Sequence, residues 1–361
     1  MLRSLGILTT TAAVALLGAA SAQDSATTDA PAAAPAPAAT ASASVRSAID
    51  AYAAYQSDVT TLRASRISSD RELEAALDTV AHHNRDALTR GWVAYGGMTA
   101  AQSPAFVQGV RDAAQYYGRD AVIWAISADP RYARGLRGGA EVTRLLLDSA
   151  TADAARIVAV ADRYQEMAYS LQRQSWANAV APGQAARVQR IRSLGAAGRP
   201  VAVPATVSPR LTVTTLSLSP SSDATAFGGR RFWDAVGGAA DVVEVSATPV
   251  TYQWRLNPTR GEAIDRMASV AALAALDAND EAHASAVSQL MNDRRSRDCF
   301  EMAQLQLYQC MSAARFRYEN AFCLGQHGLR DVGICINAVA QPDANATPMG
   351  VSLTGAATRN D

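Results

Sequence analysis

Residues 140–179 read AEVTRLLLDSATADAARIVAVADRYQEMAYSLQRQSWANA and contain neither Gly nor Pro. Val142, Leu146, Ala150, Ala154, Ile157, Ala161, Tyr164, Ala168 and Leu171 recur at three- and four-residue steps. That is the period of one helix face. The spacing predicts a single helix of about 40 residues, roughly 60 Å long at 1.5 Å per residue. Its stripe is rich in Ala, so a partner helix can approach closely and the segment reads as a packing spine. Pro182 and Gly183 end it, and 184–194 forms a further helix with Arg187, Arg190 and Arg192 on a solvated flank.

Upstream, the helical pattern begins at Val45 and continues through Ile49, Tyr52, Ala53 and Gln56. Ser69 and Glu72 match the S-x-x-E capping box. Leu73, Leu77, Val80 and Ala87 behind it predict a helix from 69 to about 90. Gly91, Gly96 and Gly97 are expected to loosen the chain there. Ser103 followed by Pro104 is an N-cap with Pro at the first helical position, opening a helix that runs to Gly118. A short helix over 120–127 and a turn from Asp129-Pro130 to Gly138-Gly139 lead back to the long spine.

Downstream, Pro200, Pro204, Pro209 and Pro220 punctuate an irregular segment. Val250, Tyr252 and Trp254 alternate with polar residues as on a half-buried strand. Thr259 and Glu262 suggest a second capping box, followed by a helix with Ile264, Met267, Ala271, Ala274 and Ala278 inward, and Asp280 restarts a helix to Met291. The fold class that results is mainly α. A helical bundle with a long Ala-rich helix is joined by a short irregular or β middle segment to a C-terminal helical region stapled by disulfides. The expected division is a signal peptide (1–22), an Ala/Pro/Ser/Thr linker without fixed structure (23–44), the bundle (45–195), the Pro-punctuated segment (196–258), the Cys-bearing helices (259–340) and a disordered tail (341–361).

Cys299, Cys310, Cys323 and Cys335 are the only cysteines, and four cysteines permit three pairings. On one straight helix Cys299 and Cys310 would face the same way but stand about 16 Å apart, too far to bond. The pairs Cys299–Cys335 and Cys310–Cys323 share nearly the same midpoint, so together they would nest as two staples of an antiparallel helical hairpin. No Gly or Pro marks a turn between Met311 and Phe322, however, and a turn at Gly325–Gly328 would give a different pairing. In outline the pattern resembles the twin CX9C hairpins of mitochondrial intermembrane-space proteins, over about 40 residues and with gaps of ten and eleven rather than nine. No close C-x2-C pair of the zinc-site type is present.

The N-terminus decides location. Arg3, an apolar run from Leu5 to Ala20 and the small-x-small Ala20-Ser21-Ala22 match a secretory signal cleaved after Ala22, leaving Gln23 first. The run is shorter than the ~20 residues of a spanning helix, and no transmembrane segment is expected in the mature chain. An Arg-rich, Ala-rich composition suggests a bacterial source, hence a periplasmic or secreted protein in a compartment that permits disulfides.

Composition narrows function. The 361 residues carry 33 basic and 33 acidic side chains, and every basic one is Arg. Schiff-base and P-loop lysine chemistry is excluded, and the neutral balance argues against nucleic acid as a partner. The histidines are His82, His83, His283 and His327. The adjacent His82 and His83 point about 100° apart on a helix and do not form an i, i+4 metal pair. Glu166, on the long helix, reads equally as the general acid of a wall-cleaving enzyme or as a residue of an exposed helix face. No catalytic residue, metal site or cofactor is assigned. His83, Trp233 and Trp254 are the candidate lining of a ligand groove where the middle segment meets the bundle. The expected function is binding, as a structural or assembly component of the cell envelope with a protein partner. The alternative is an envelope hydrolase or small-ligand binder using that groove.

Overall fold

A computed structural model describes residues 41–198, 232–233, 254–278 and 280–342. The signal peptide, nearly all of the 23–44 linker, Val250 and Tyr252 lie outside these residues. The first helix, α1 (Ala41–Ala64), starts within the last residues expected to be linker. It buries Ile49, Tyr52, Ala53, Tyr55, Gln56, Val59 and Leu62.

Helix α2 (Asp70–Ala81) is capped by Ser69, whose side chain accepts from the Glu72 N–H. The Glu72 carboxylate reaches back to Ser68 rather than to Ser69, so the capping box is half made. The helix expected to reach residue 90 instead ends at Ala81. Asn84 caps a new one, α3 (Arg85–Ala100), by accepting from the Ala87 N–H. Gly91, Gly96 and Gly97 are interior to α3 and do not loosen it. A Cβ on Gly91 would stand 2.5 Å from the Ala48 carbonyl oxygen of α1. On the other side, Gly96 and Gly97 face Met267 and Val270. Small residues let α3 meet the α1 backbone on one side and receive the Met267 and Val270 side chains on the other, which is why nearly all of it is buried.

Helix α4 (Pro104–Tyr117) opens at Ser103 and closes at Gly118, whose φ of 93° suits glycine. Helices α5 (Arg119–Ala128) and α6 (Arg131–Arg134) follow. Helix α7 spans Gly139–Leu171 and buries every residue of the stripe read from the sequence. It stops before residue 179 because 177–181 pairs with 315–318 instead: the Ala181 N–H donates to the Arg315 carbonyl, and those of Arg317 and Tyr318 to Ala179 and Ala177. Helix α8 (Gln184–Ala197) completes the first part.

Strand β1 (Trp254–Leu256) pairs antiparallel with β2 (Ala340–Pro342), whose last two residues fall in the segment expected to be tail. Helix α9 (Glu262–Ala275) covers α3. Its expected capping box is absent, since Asn257 Oδ1 takes the Thr259 hydroxyl and Glu262 bonds Arg266. After α10 (Ala284–Leu290), α11 (Arg294–Ala313) and α12 (Arg317–Cys323) form the hairpin. A π-helical stretch (Leu324–Arg330) and α13 (Asp331–Asn337) continue it.

The bridges are Cys299–Cys335 and Cys310–Cys323, with Cα separations of 5.8 and 5.7 Å, and no cysteine is free. The hairpin turns at 314–316, where the Glu319 carboxylate accepts from the Arg315 and Phe316 N–H groups. Gly325 is not a turn. A Cβ there would lie 3.0 Å from both the Ala161 carbonyl oxygen and Tyr164 Cβ, so it marks the close approach to the α7 spine. Residues of 45–195 and 259–340 share one apolar core. Among the described residues no helix is long and apolar enough to cross a membrane.

Candidate metal centre

The chain between α2 and α3 brings together what a continuous helix would hold apart. His82 is the C-cap of α2, and its backbone N–H donates to the Asp78 carbonyl. Its ring Nδ1 lies 2.9 Å from the same oxygen. A metal on Nε2 in place of the Asp58 bond would leave the ring proton on Nδ1, donated to this carbonyl, the way an outer-shell carbonyl orients a metal-ligating imidazole. Because the helix stops at Ala81, the two neighbouring rings do not diverge by 100°. Their centroids are 4.2 Å apart. Both Nε2 atoms meet one carboxylate oxygen of Asp58 on α1, at 3.1 Å from His82 and 2.8 Å from His83. This corrects the expectation that the pair cannot act together.

The ligand atoms of Asp58, His82 and His83 all lie within 4.8 Å of one another. Donors on a tetrahedral ion with bonds of about 2.0–2.1 Å stand ~3.3 Å apart, so small side-chain shifts bring these three to ligand spacing. Both imidazoles are about nine-tenths buried, while the Asp58 side chain keeps 27% of its surface and opens the cluster to solvent. Burial pulls His83 down to about 4, against the opposing pull of Asp58, which keeps the ring neutral at pH 7. Burial pushes Asp58 up, but the hydrogen bonds from His82 and His83 outweigh it and bring the carboxyl to about 2. Neutral imidazole and ionised carboxylate are the forms that bind metal. Two imidazoles and a carboxylate suit zinc and its neighbours rather than calcium or magnesium.

Tyr55 packs edge-on against His83, with centroids 5.2 Å apart. Arg85, the first residue of α3, lies beside them with 3% of its surface exposed. Its Nε, Nη1 and Nη2 are buried without a hydrogen-bond partner, and so is the Tyr55 hydroxyl.

The three residues proposed for a groove have separate surroundings. His83 belongs to the cluster above. Trp233 is buried against Tyr52, Tyr95 and Phe232, its indole N–H 3.4 Å from Asp153. Trp254 sits half-buried in β1. Asp153 also accepts from the Tyr52 hydroxyl at 2.7 Å, and this buried carboxylate had no counterpart in the sequence reading. Glu166 is exposed. Arg187 and Arg190 pair with Glu74 and Asp78 of α2, and Arg192 stacks over Tyr308 at 5.3 Å. The expected solvated flank is therefore an ion-paired helix seam. An open cleft of about 370 Å³ lies over the Cys299–Cys335 bridge, between Arg260, Met302 and Ile334.

Asp58 escaped the sequence reading because its partners are 24 and 25 residues away. The usable signal was local: a His-His pair directly before Asn84, a capping residue that stops the preceding helix. Comparison with protein-family models, with curated proteins and with solved structures finds no match.

Proposed function

We propose that this is an exported protein of an oxidising compartment that binds one divalent transition ion of the zinc class through Asp58, His82 and His83. The convergence of both Nε2 atoms on one Asp58 oxygen carries the reading. Three protein ligands leave a coordination position for water or for a group on a partner. Pairing of all four cysteines suits an oxidising compartment, and the signal-like N-terminus supports a periplasmic or secreted location. Mass spectrometry of the exported chain should find Gln23 first; a retained Met1 would contradict export. For the metal, the EDTA-stripped protein is titrated with zinc chloride by calorimetry. One ion per chain should bind, and His82→Ala should weaken it by about tenfold or more. No binding by the wild type, or binding by His82→Ala and His83→Ala as tight as the wild type's, would overturn the reading.

A second reading is the envelope component that binds another protein, and it can coexist with the first. Exposed aromatic side chains favour it: Tyr116, Tyr117 and Trp124 on α4 and α5 are 81%, 64% and 72% exposed. Large exposed rings of this kind are enriched at protein interfaces. Crosslinking in the native envelope should capture a stoichiometric protein with the wild-type chain and lose it with Tyr116→Ser/Trp124→Ser. Equal capture by both would count against this surface.

A further inference from the structure

Arg85 presents an unsolved charge. Its guanidinium is buried, its three nitrogens make no hydrogen bond, and no carboxylate pairs with it among the described residues. Its nearest electrostatic neighbours are the hydroxyl-bearing rings of Tyr55 and Tyr308 and the His83 imidazole. Arginine does not escape burial by losing its proton at physiological pH. An unpaired buried ion costs several kcal/mol in a stable fold, and five N–H donors without acceptors add to the cost.

The surroundings supply further donors, and the nearby Asp58 carboxylate is engaged by His82 and His83. The Tyr55 hydroxyl, 1% exposed, also lacks a partner. Tyr308 is half-buried, and the exposed Arg192 lies over its ring, placing a second positive charge near the outer edge of this region. Arg85 is the first residue of a 16-residue helix, whose N-terminal end adds a favourable field for negative charge. A planar guanidinium fork with free donors matches the two oxygens of a carboxylate or phosphate.

We infer that Arg85 and Tyr55 form a buried binding site for a small oxyanion, a carboxylate or phosphate group, with Tyr308 and Arg192 at its outer side. The site stands apart from the metal reading, because it is drawn from unsatisfied donors that are not ligands of the ion. Either can fail without the other.

The experiment uses the full mature chain stripped of metal with EDTA, so that zinc binding plays no part. Thermal unfolding is followed at constant ionic strength in a zwitterionic buffer, with added sodium phosphate or sodium acetate. Wild-type Tm should rise with one of the two anions and the response should saturate. Phosphate alone would identify a phosphoryl site, and acetate alone a carboxylate site. Arg85→Met should abolish the response, and Tyr55→Phe should weaken the anion by about threefold to tenfold. In the absence of either anion Arg85→Met should unfold at a higher temperature than wild type, because it removes an unpaired buried charge. If Arg85→Met does not fold, phosphorus-31 line broadening of phosphate and acetate calorimetry on the wild type decide. No saturable response of the wild type to either anion, or an equal response of Arg85→Met, would overturn the site.

Discussion

Substituting Gly91 by Ala tests the contact on which the core is built. In an open helix the change would stabilise by about 0.8–1 kcal/mol, since Ala is the better helix former. Here the new Cβ would lie 2.5 Å from the Ala48 carbonyl oxygen, 2.9 Å from the Tyr52 nitrogen and 3.0 Å from Tyr52 Cβ. Carbon and carbonyl oxygen rest at about 3.3 Å or more, so α1 must retreat by roughly 0.8 Å from α3. The obstacle is backbone, so no side-chain rotation relieves it. Overpacking of this kind costs about 1–3 kcal/mol, and a backbone clash belongs at the upper end. After the propensity gain, the net loss should be about 2 kcal/mol. For a chain of this size, at ~2.1 cal/mol/K of unfolding entropy per residue, that lowers Tm by about 3 °C. Urea unfolding should show the same loss in midpoint with an unchanged slope. A variant as stable as wild type, or more stable by the propensity gain, would refute the close packing of α1 on α3.

Three further outcomes follow from other parts of the fold. Removing the Cys310–Cys323 bridge as a double Ser variant should cost about 3 kcal/mol, and removing Cys299–Cys335, which closes a longer loop, about 4 kcal/mol. Urea unfolding of the two variants measures both, and equal stability with wild type would remove the staples from the account. Tyr52→Phe takes one donor from the buried Asp153 carboxylate and should cost about 1.5–3 kcal/mol by urea unfolding; no loss would show that bond to be dispensable. Burial raises the Asp265 carboxyl from 3.8 to about 6 despite the nearby Arg134 and Arg131, with Asp129 and Glu262 adding to the rise. The folded state then binds more protons than the unfolded one between those values, so this group's contribution to stability falls as pH rises from about 4 to 6. Asp265→Asn should therefore gain on wild type across that window, by on the order of 3 kcal/mol at its upper end. A pH-independent difference between the two proteins would contradict it.

The parts of the fold legible in the sequence are those set by local periodicity. The α7 stripe and the Ser103-Pro104 start depend on residues close in sequence, and the chain reversal on the shared midpoint of two cysteine pairs. What escaped depends on contacts that hydrophobic periodicity does not encode. The end of α7 at Leu171 is dictated by pairing with 315–318. The unmarked hairpin turn is made by Glu319 capping rather than by Gly or Pro. The glycines of α3 look like breakers in isolation, yet they are interior residues selected by neighbours on two sides. The metal cluster was hidden for the same reason. Its histidines were legible as residues, but their convergence depends on Asn84 stopping the helix and on Asp58 from α1.

The most direct test of the central claim is X-ray absorption at the zinc edge of the protein loaded with one equivalent of zinc. The zinc should carry two imidazole nitrogens and at least one carboxylate oxygen, with one imidazole lost in His83→Ala. A shell of water and carboxylate oxygens alone, unchanged in that variant, would contradict it.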